Sequence, residues 1–181
     1  KHGFSPSVNI ILFIPEQTLD ELFYVMKTAT EYMLKGTQIA MTPLLRPQKG
    51  SGKNELIEND GTGQFKIRQL TADENLAATS LGLIITDVDG VAGNEIFVAN
   101  DMKPNQLWQR ESTGPWHDIA ALRGCAFSFT GASTASMGVA AADLINNGTI
   151  DLHITNYQSE SASLFLNESG MFRDRNLNFR V

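Results

Sequence analysis

Cysteine is nearly missing: the 181 residues contain one, Cys125. A single thiol excludes an intrachain disulfide, a cysteine-based zinc site and a four-cysteine iron–sulfur cluster. Beside Ala126 and Phe127 it reads as a small buried hydrophobe. Positive charge is also short, with 14 Lys and Arg against 20 Asp and Glu and a net charge of −6. The basic residues are scattered and not interleaved with aromatics, so nucleic acid is not an expected partner. Long apolar runs are lacking too. The longest, residues 10–14, is far too short to span a bilayer, and no signal peptide is visible. Position 1 is Lys, and a processed or excised piece is the expectation. Catalytic signatures are equally thin. His117 and His153 have no partner at metal spacing, and no Gly-x-Ser-x-Gly elbow occurs. The chain is expected not to be an enzyme.

What is present is acid, asparagine and glycine in repeated short loops. Asp87-Val88-Asp89-Gly90-Val91-Ala92-Gly93-Asn94-Glu95 lies between the apolar runs 83–85 and 96–98. Asp143-Leu144-Ile145-Asn146-Asn147-Gly148-Thr149-Ile150-Asp151 lies between 139–142 and 152–154. A loop with side-chain oxygens at alternate positions is able to wrap a hard cation, because alternate residues of an extended backbone point the same way. The same residue types are ordinary turn formers, so a metal-free acidic turn is the competing reading.

The echo extends beyond the loops. Ser80-Leu81-Gly82 recurs as Ser136-Met137-Gly138, Asp87 as Asp143, Glu95 as Asp151, Ala99-Asn100 as Thr155-Asn156, and Trp116 as Phe172, all at an offset of 56 residues. A partial third copy, residues 54–65, matches 105–116. Repeats of this length indicate blades, solenoids or arrays.

These residues resemble the FG-GAP/VCBS repeat family, in particular the β-propeller repeats of cartilage acidic protein-like proteins, over about residues 52–176. Such repeats are similar to integrin α-subunit blades, whose loop between the first two strands binds Ca²⁺. The resemblance implies ligand positions at Asp87, Asp89 and Glu95 in one loop and at Asp143, Asn147 and Asp151 in the other. Val91 and Ile145 depart from the pattern, since neither side chain offers an oxygen. Three side-chain ligands per loop leave carbonyls and water to complete the six to eight oxygens that Ca²⁺ takes. The resemblance further implies a protein or glycan ligand and an extracellular or periplasmic location. Two full repeats and a partial one do not close a ring of four to eight blades, so a homo-oligomer or a larger parent protein is expected.

Residues 1–51 follow another pattern. Residues 8–14 read as a buried strand, 19–34 as an amphipathic helix opened by a capping box at Thr18 and Glu21, and 38–45 as a second strand: one β-α-β unit. This stretch resembles a β/α unit of a radical SAM barrel of the cobalamin-associated branch, although the cluster cysteines of that family are absent. Residues 46–53 are Pro/Gly/Ser-rich and read as a linker, and Gly50-Ser51-Gly52-Lys53 lacks the full phosphate-loop pattern.

The expected fold is mainly β: partial β-propeller-like repeats over 52–181, two full and one partial, preceded by a small β-α-β segment over 1–51. The expected function is a non-enzymatic, calcium-associated binding or adhesion module. The alternatives are an accessory fragment of a cofactor-dependent, radical SAM-like enzyme and a metal-free structural domain. Trp108, Trp116, Phe65 and Phe172 are expected to pack between strands. Asn147 and Asn167 each open a glycosylation sequon at positions the repeat already explains.

Overall fold

A computed structural model describes residues 8–10, 39–41, 54–59, 64–111 and 114–175. The described chain is mainly β. Strands β1 (Val8–Ile10) and β2 (Ile39–Met41) pair in parallel, with Val8 opposite Ile39. Parallel neighbours need a crossover of a dozen or more residues. The helix expected over 19–34 and the linker over 46–53 lie outside the described residues.

The next strands form an antiparallel hairpin, β3 (Glu55–Asn59) with β4 (Phe65–Gln69). Asp60-Gly61-Thr62-Gly63, residue types that favour a hairpin turn, fall between them in sequence and lie outside the described residues. A single 3-10 turn at Glu74–Leu76 follows, where the Asp73 carboxylate accepts the Asn75 N–H at 2.9 Å.

Two four-stranded antiparallel meanders complete the fold. The first is β5 (Thr79–Thr86), β6 (Glu95–Asp101), β7 (Gln106–Gln109) and β8 (His117–Asp118); the second is β9 (Ser136–Ala142), β10 (Asp151–Asn156), β11 (Ser163–Glu168) and β12 (Met171–Asp174). Corresponding strands begin within three residues of the 56-residue offset. A short helix, α1 (Ala120–Arg123), lies between the meanders and ends on Gly124, whose φ of 81° is left-handed. A side chain there would bring a Cβ within 2.5 Å of the Phe172 carbonyl oxygen, so glycine alone permits both the helix stop and this approach.

The Ser-x-Gly motif has a physical explanation. In the β5/β6 pair the register skips Leu81 between Ser80 and Gly82, and in the β9/β10 pair it shifts between Thr155 and Asn156, so that Met137 is skipped. Each motif is a bulge that re-aims its strand. Gly82 lets β5 approach β9, since a Cβ there would lie 3.1 Å from Met137 O.

Alternation along the strands splits the core. Ile96, Val98 and Trp108 face Leu56 and Leu70, joining the hairpin to the first meander. Phe97, Ala99 and Leu107 face Leu152, Ile154 and Phe165, joining the first meander to the second. Side chains of period two therefore leave the central strand β6 buried on both faces. The hairpin is also tied by buried polar groups: Ser80 Oγ donates toward the side-chain oxygens of Asn54 (3.0 Å) and Asn100 (2.9 Å), and Asn54 Nδ2 donates to Gln106 Oε1 (3.0 Å). Trp108 and Phe172 are buried, Trp116 packs on the hairpin side of the core, and Phe65 is half-buried. Cys125 is fully buried.

Candidate metal centre

The two meanders carry their β5–β6 and β9–β10 loops at one end, beside the β11–β12 turn. In the first loop, Asp87 follows the last residue of β5 and Glu95 is the first of β6, so the strands fix both ends. Asp87 Oδ1 accepts the N–H groups of Asp89 (3.2 Å) and Gly90 (2.7 Å), and Asp89 Oδ1 accepts that of Val91 (3.0 Å). Gly90 takes φ 75° and Gly93 φ 125°, conformations that let the loop wind around these carboxylates. Glu95 reaches back, its Oε2 accepting the Val88 N–H at 3.0 Å.

The result is one oxygen each from Asp87, Asp89 and Glu95 within 4.8 Å of one another. Two oxygens bound to a common Ca²⁺ at 2.3–2.6 Å lie at most about 5 Å apart, so this spacing fits such an ion. Among the described residues no other group of three His, Cys, Asp or Glu side chains comes together this way. Glu95 is buried, Asp89 half-buried and Asp87 exposed, which leaves the Asp87 side open to solvent. Burial raises the Glu95 pKa, and the neighbouring Asp89 charge adds to it; the Val88 N–H and the Gln109 amide pull the other way. A cation beside these carboxylates would favour their ionised forms.

Two further side chains enter from outside the loop. Gln109 Nε2, on β7, donates to Asp89 Oδ2 at 2.9 Å and to Glu95 Oε1 at 3.3 Å. Arg123 Nη2, on α1, donates to Asp89 Oδ2 at 3.0 Å, making an ion pair. One of the three carboxylates is thus already paired with a guanidinium, and the other two face the loop without a cationic partner among the described contacts.

The second loop is organised differently. Asp143 spends both oxygens on backbone donors, Asn147 N at 3.0 Å and Gly148 N at 2.9 Å. Asp151 is fully buried and does the same, with Leu144 N and Asn167 N each at 2.8 Å. Asn147 Oδ1 accepts from Thr149 N and Oγ1, while Nδ2 donates to Asn167 O. The second loop's side-chain oxygens thus accept mainly from its own turn, and Asp151 also from Asn167 on β11, whereas Asp89 and Glu95 of the first loop accept partly from the side chains of Gln109 and Arg123. Asn167 then joins the two loops: its Nδ2 donates to Val88 O at 2.7 Å and to Ile150 O at 3.0 Å, and its Oδ1 accepts Gly170 N at 2.7 Å.

Gln109, Arg123 and Asn167 were not among the expected site residues. They stand 14 to 79 residues from the residues of the first loop that they contact, and no local spacing announces such contacts. The one sequence mark of Arg123 is a basic residue just before a glycine stop, which is a common helix end. His117 and His153 are exposed and far in sequence from the cluster. No helix among the described residues is long and apolar enough to cross a membrane.

No protein-family model matches the chain, and no curated protein is significantly similar to it, so the FG-GAP/VCBS likeness rests on the quoted residues alone.

Proposed function

We propose that the chain is a non-enzymatic, calcium-associated binding or adhesion module of the β-propeller type, with its ion held by Asp87, Asp89 and Glu95. The observation that carries this reading is the convergence of three carboxylate oxygens within 4.8 Å on a loop closed by β5 and β6. The two meanders of like order, each bulged at a Ser-x-Gly motif, support the blade comparison. In this reading the second loop, Asp143 to Asp151, acts chiefly as a support that holds the first through Asn167. The bound partner would be a protein or glycan outside the cell or in the periplasm, where calcium is plentiful.

The test is a pair of melting curves, in EDTA and in millimolar Ca²⁺, for the native chain and for Asp87→Asn. A ligand that binds only the folded state stabilises it by about 2.7 kcal/mol at a hundred times its Kd. For a chain of this size that is a rise of several degrees, and Asp87→Asn should lose most of it. An unchanged melting temperature in Ca²⁺ would sink the calcium reading.

One observation favours a second reading, a metal-free structural domain. Arg123 already pairs with Asp89, so part of the loop's charge is balanced without a metal. The parallel pairing of β1 and β2 is compatible with the third possibility, an accessory β/α fragment of a cofactor-dependent enzyme.

A further inference from the structure

Asp89 is the candidate ligand that already holds a cation. Its side chain is 6% exposed and that of Arg123 22%, so their 3.0 Å contact is largely shielded from water. The guanidinium also donates through Nη1 to Gly170 O at 3.3 Å, in the β11–β12 turn. One side chain therefore spans the acidic loop of the first meander and the turn of the second. Its slot is narrow: a Cβ at Gly170 would lie 2.7 Å from Arg123 Nη1 and 2.8 Å from Asp89 Cβ.

Oδ2 of Asp89 serves both Arg123 and Gln109, while Oδ1 serves Val91 N. A carboxylate has roughly four lone-pair sites, so Asp89 has about one left over. A divalent ion joining Asp87, Asp89 and Glu95 would sit close to the guanidinium, and two cations at that separation repel strongly where water is partly excluded.

We propose that Arg123 is a resident cation that holds the acidic loop when no ion is bound, and that a divalent ion must displace it from Asp89. The inference rests on the divalent-ion reading above and adds its regulation. The exchange makes ion affinity and the Arg123–Asp89 ion pair two ends of one equilibrium: whatever strengthens that pair weakens ion binding, and the reverse holds equally.

Three chains are compared by Ca²⁺ titration calorimetry and by melting in EDTA and in Ca²⁺: native, Arg123→Gln and Arg123→Lys. Loss of a charge-assisted hydrogen bond that competes with the ion should raise Ca²⁺ affinity roughly tenfold in Arg123→Gln. The same variant should melt lower in EDTA and regain most of the loss in Ca²⁺. Arg123→Lys keeps the charge without the fork and should fall between the two; being the milder change, it also keeps the comparison open should Arg123→Gln not fold. Native binding with equal or weaker affinity in both variants overturns the proposal and leaves the calcium reading standing. Binding in the variants but not in the native chain would mean that the ion never displaces Arg123, which overturns the exchange together with the calcium reading of the native chain. No Ca²⁺ response in any of the three removes both.

Discussion

At the scale of single residues, the site depends on Asn167 as much as on its acids. Fully buried, it supplies two donors to carbonyls of different loops and one acceptor to Gly170 N. Asn167→Ala leaves Val88 O, Ile150 O and Gly170 N without their partner. An expected loss of about 3 kcal/mol follows from roughly 1 kcal/mol for each bond. Asn167→Asp is nearly isosteric but turns a buried carboxylate toward two carbonyl oxygens, so urea midpoints should place it at or below the alanine variant. Asp tolerated as well as Asn would mean that these bonds do not hold the loops. None of this was legible in advance. Asp87, Asp89 and Glu95 were readable because alternating oxygens and a strand start place them within nine residues. Asn167 looked like a sequon asparagine, and its meaning depends on Val88, 79 residues away.

At the scale of elements, the strands were legible from apolar runs and Gly/Asn/Asp punctuation, and the Ser-x-Gly echo marks paired bulges. Helix α1 was not. Four residues are too few to show a helical period, and its start depends on a tertiary contact. That contact is Asp118, whose Oδ1 accepts both Leu107 N (3.1 Å) from β7 and Ala120 N (3.0 Å) at the first residue of α1. Burial raises the Asp118 pKa above its usual 3.8, outweighing the two N–H bonds that lower it. A raised carboxyl pKa means that the folded state holds its proton where the unfolded state has released it. The stability associated with this group is therefore present below pH 3.8 and declines as pH rises through the folded pKa. Asp118→Asn keeps an oxygen for both donors and cannot ionise. Its stability relative to the native chain should climb as pH rises from below 3.8 and then level off, as read from urea midpoints across an acid-to-neutral series. A difference that stays flat, or that climbs toward acid, would show the assigned sign to be wrong.

At the scale of the molecule, the two meanders share one core, and this decides how the site behaves. Phe97 and Leu107 come from the first meander, Leu152, Ile154 and Phe165 from the second, and all are essentially excluded from water. Apolar runs such as 96–98 and 152–154 marked strands but not which strand each faces, because a period of two fixes a face and leaves the partner unnamed. The acidic loop sits across the same junction, through Asn167 to Val88 and Arg123 to Asp89. A core shared in this way should open as one unit. Phe165→Ala removes a fully buried ring from the second meander and should cost about 3–5 kcal/mol. Hydrogen exchange followed residue by residue should then show amides of β6 and β10 losing protection together and by similar factors. If β10 opens while β6 keeps its native protection, the meanders are separate cooperative units. An ion held by the first loop would in that case stabilise the first meander alone. Joint loss of protection instead makes the second meander part of any ion's folding linkage, since an ion that binds only the folded pair must stabilise both halves together.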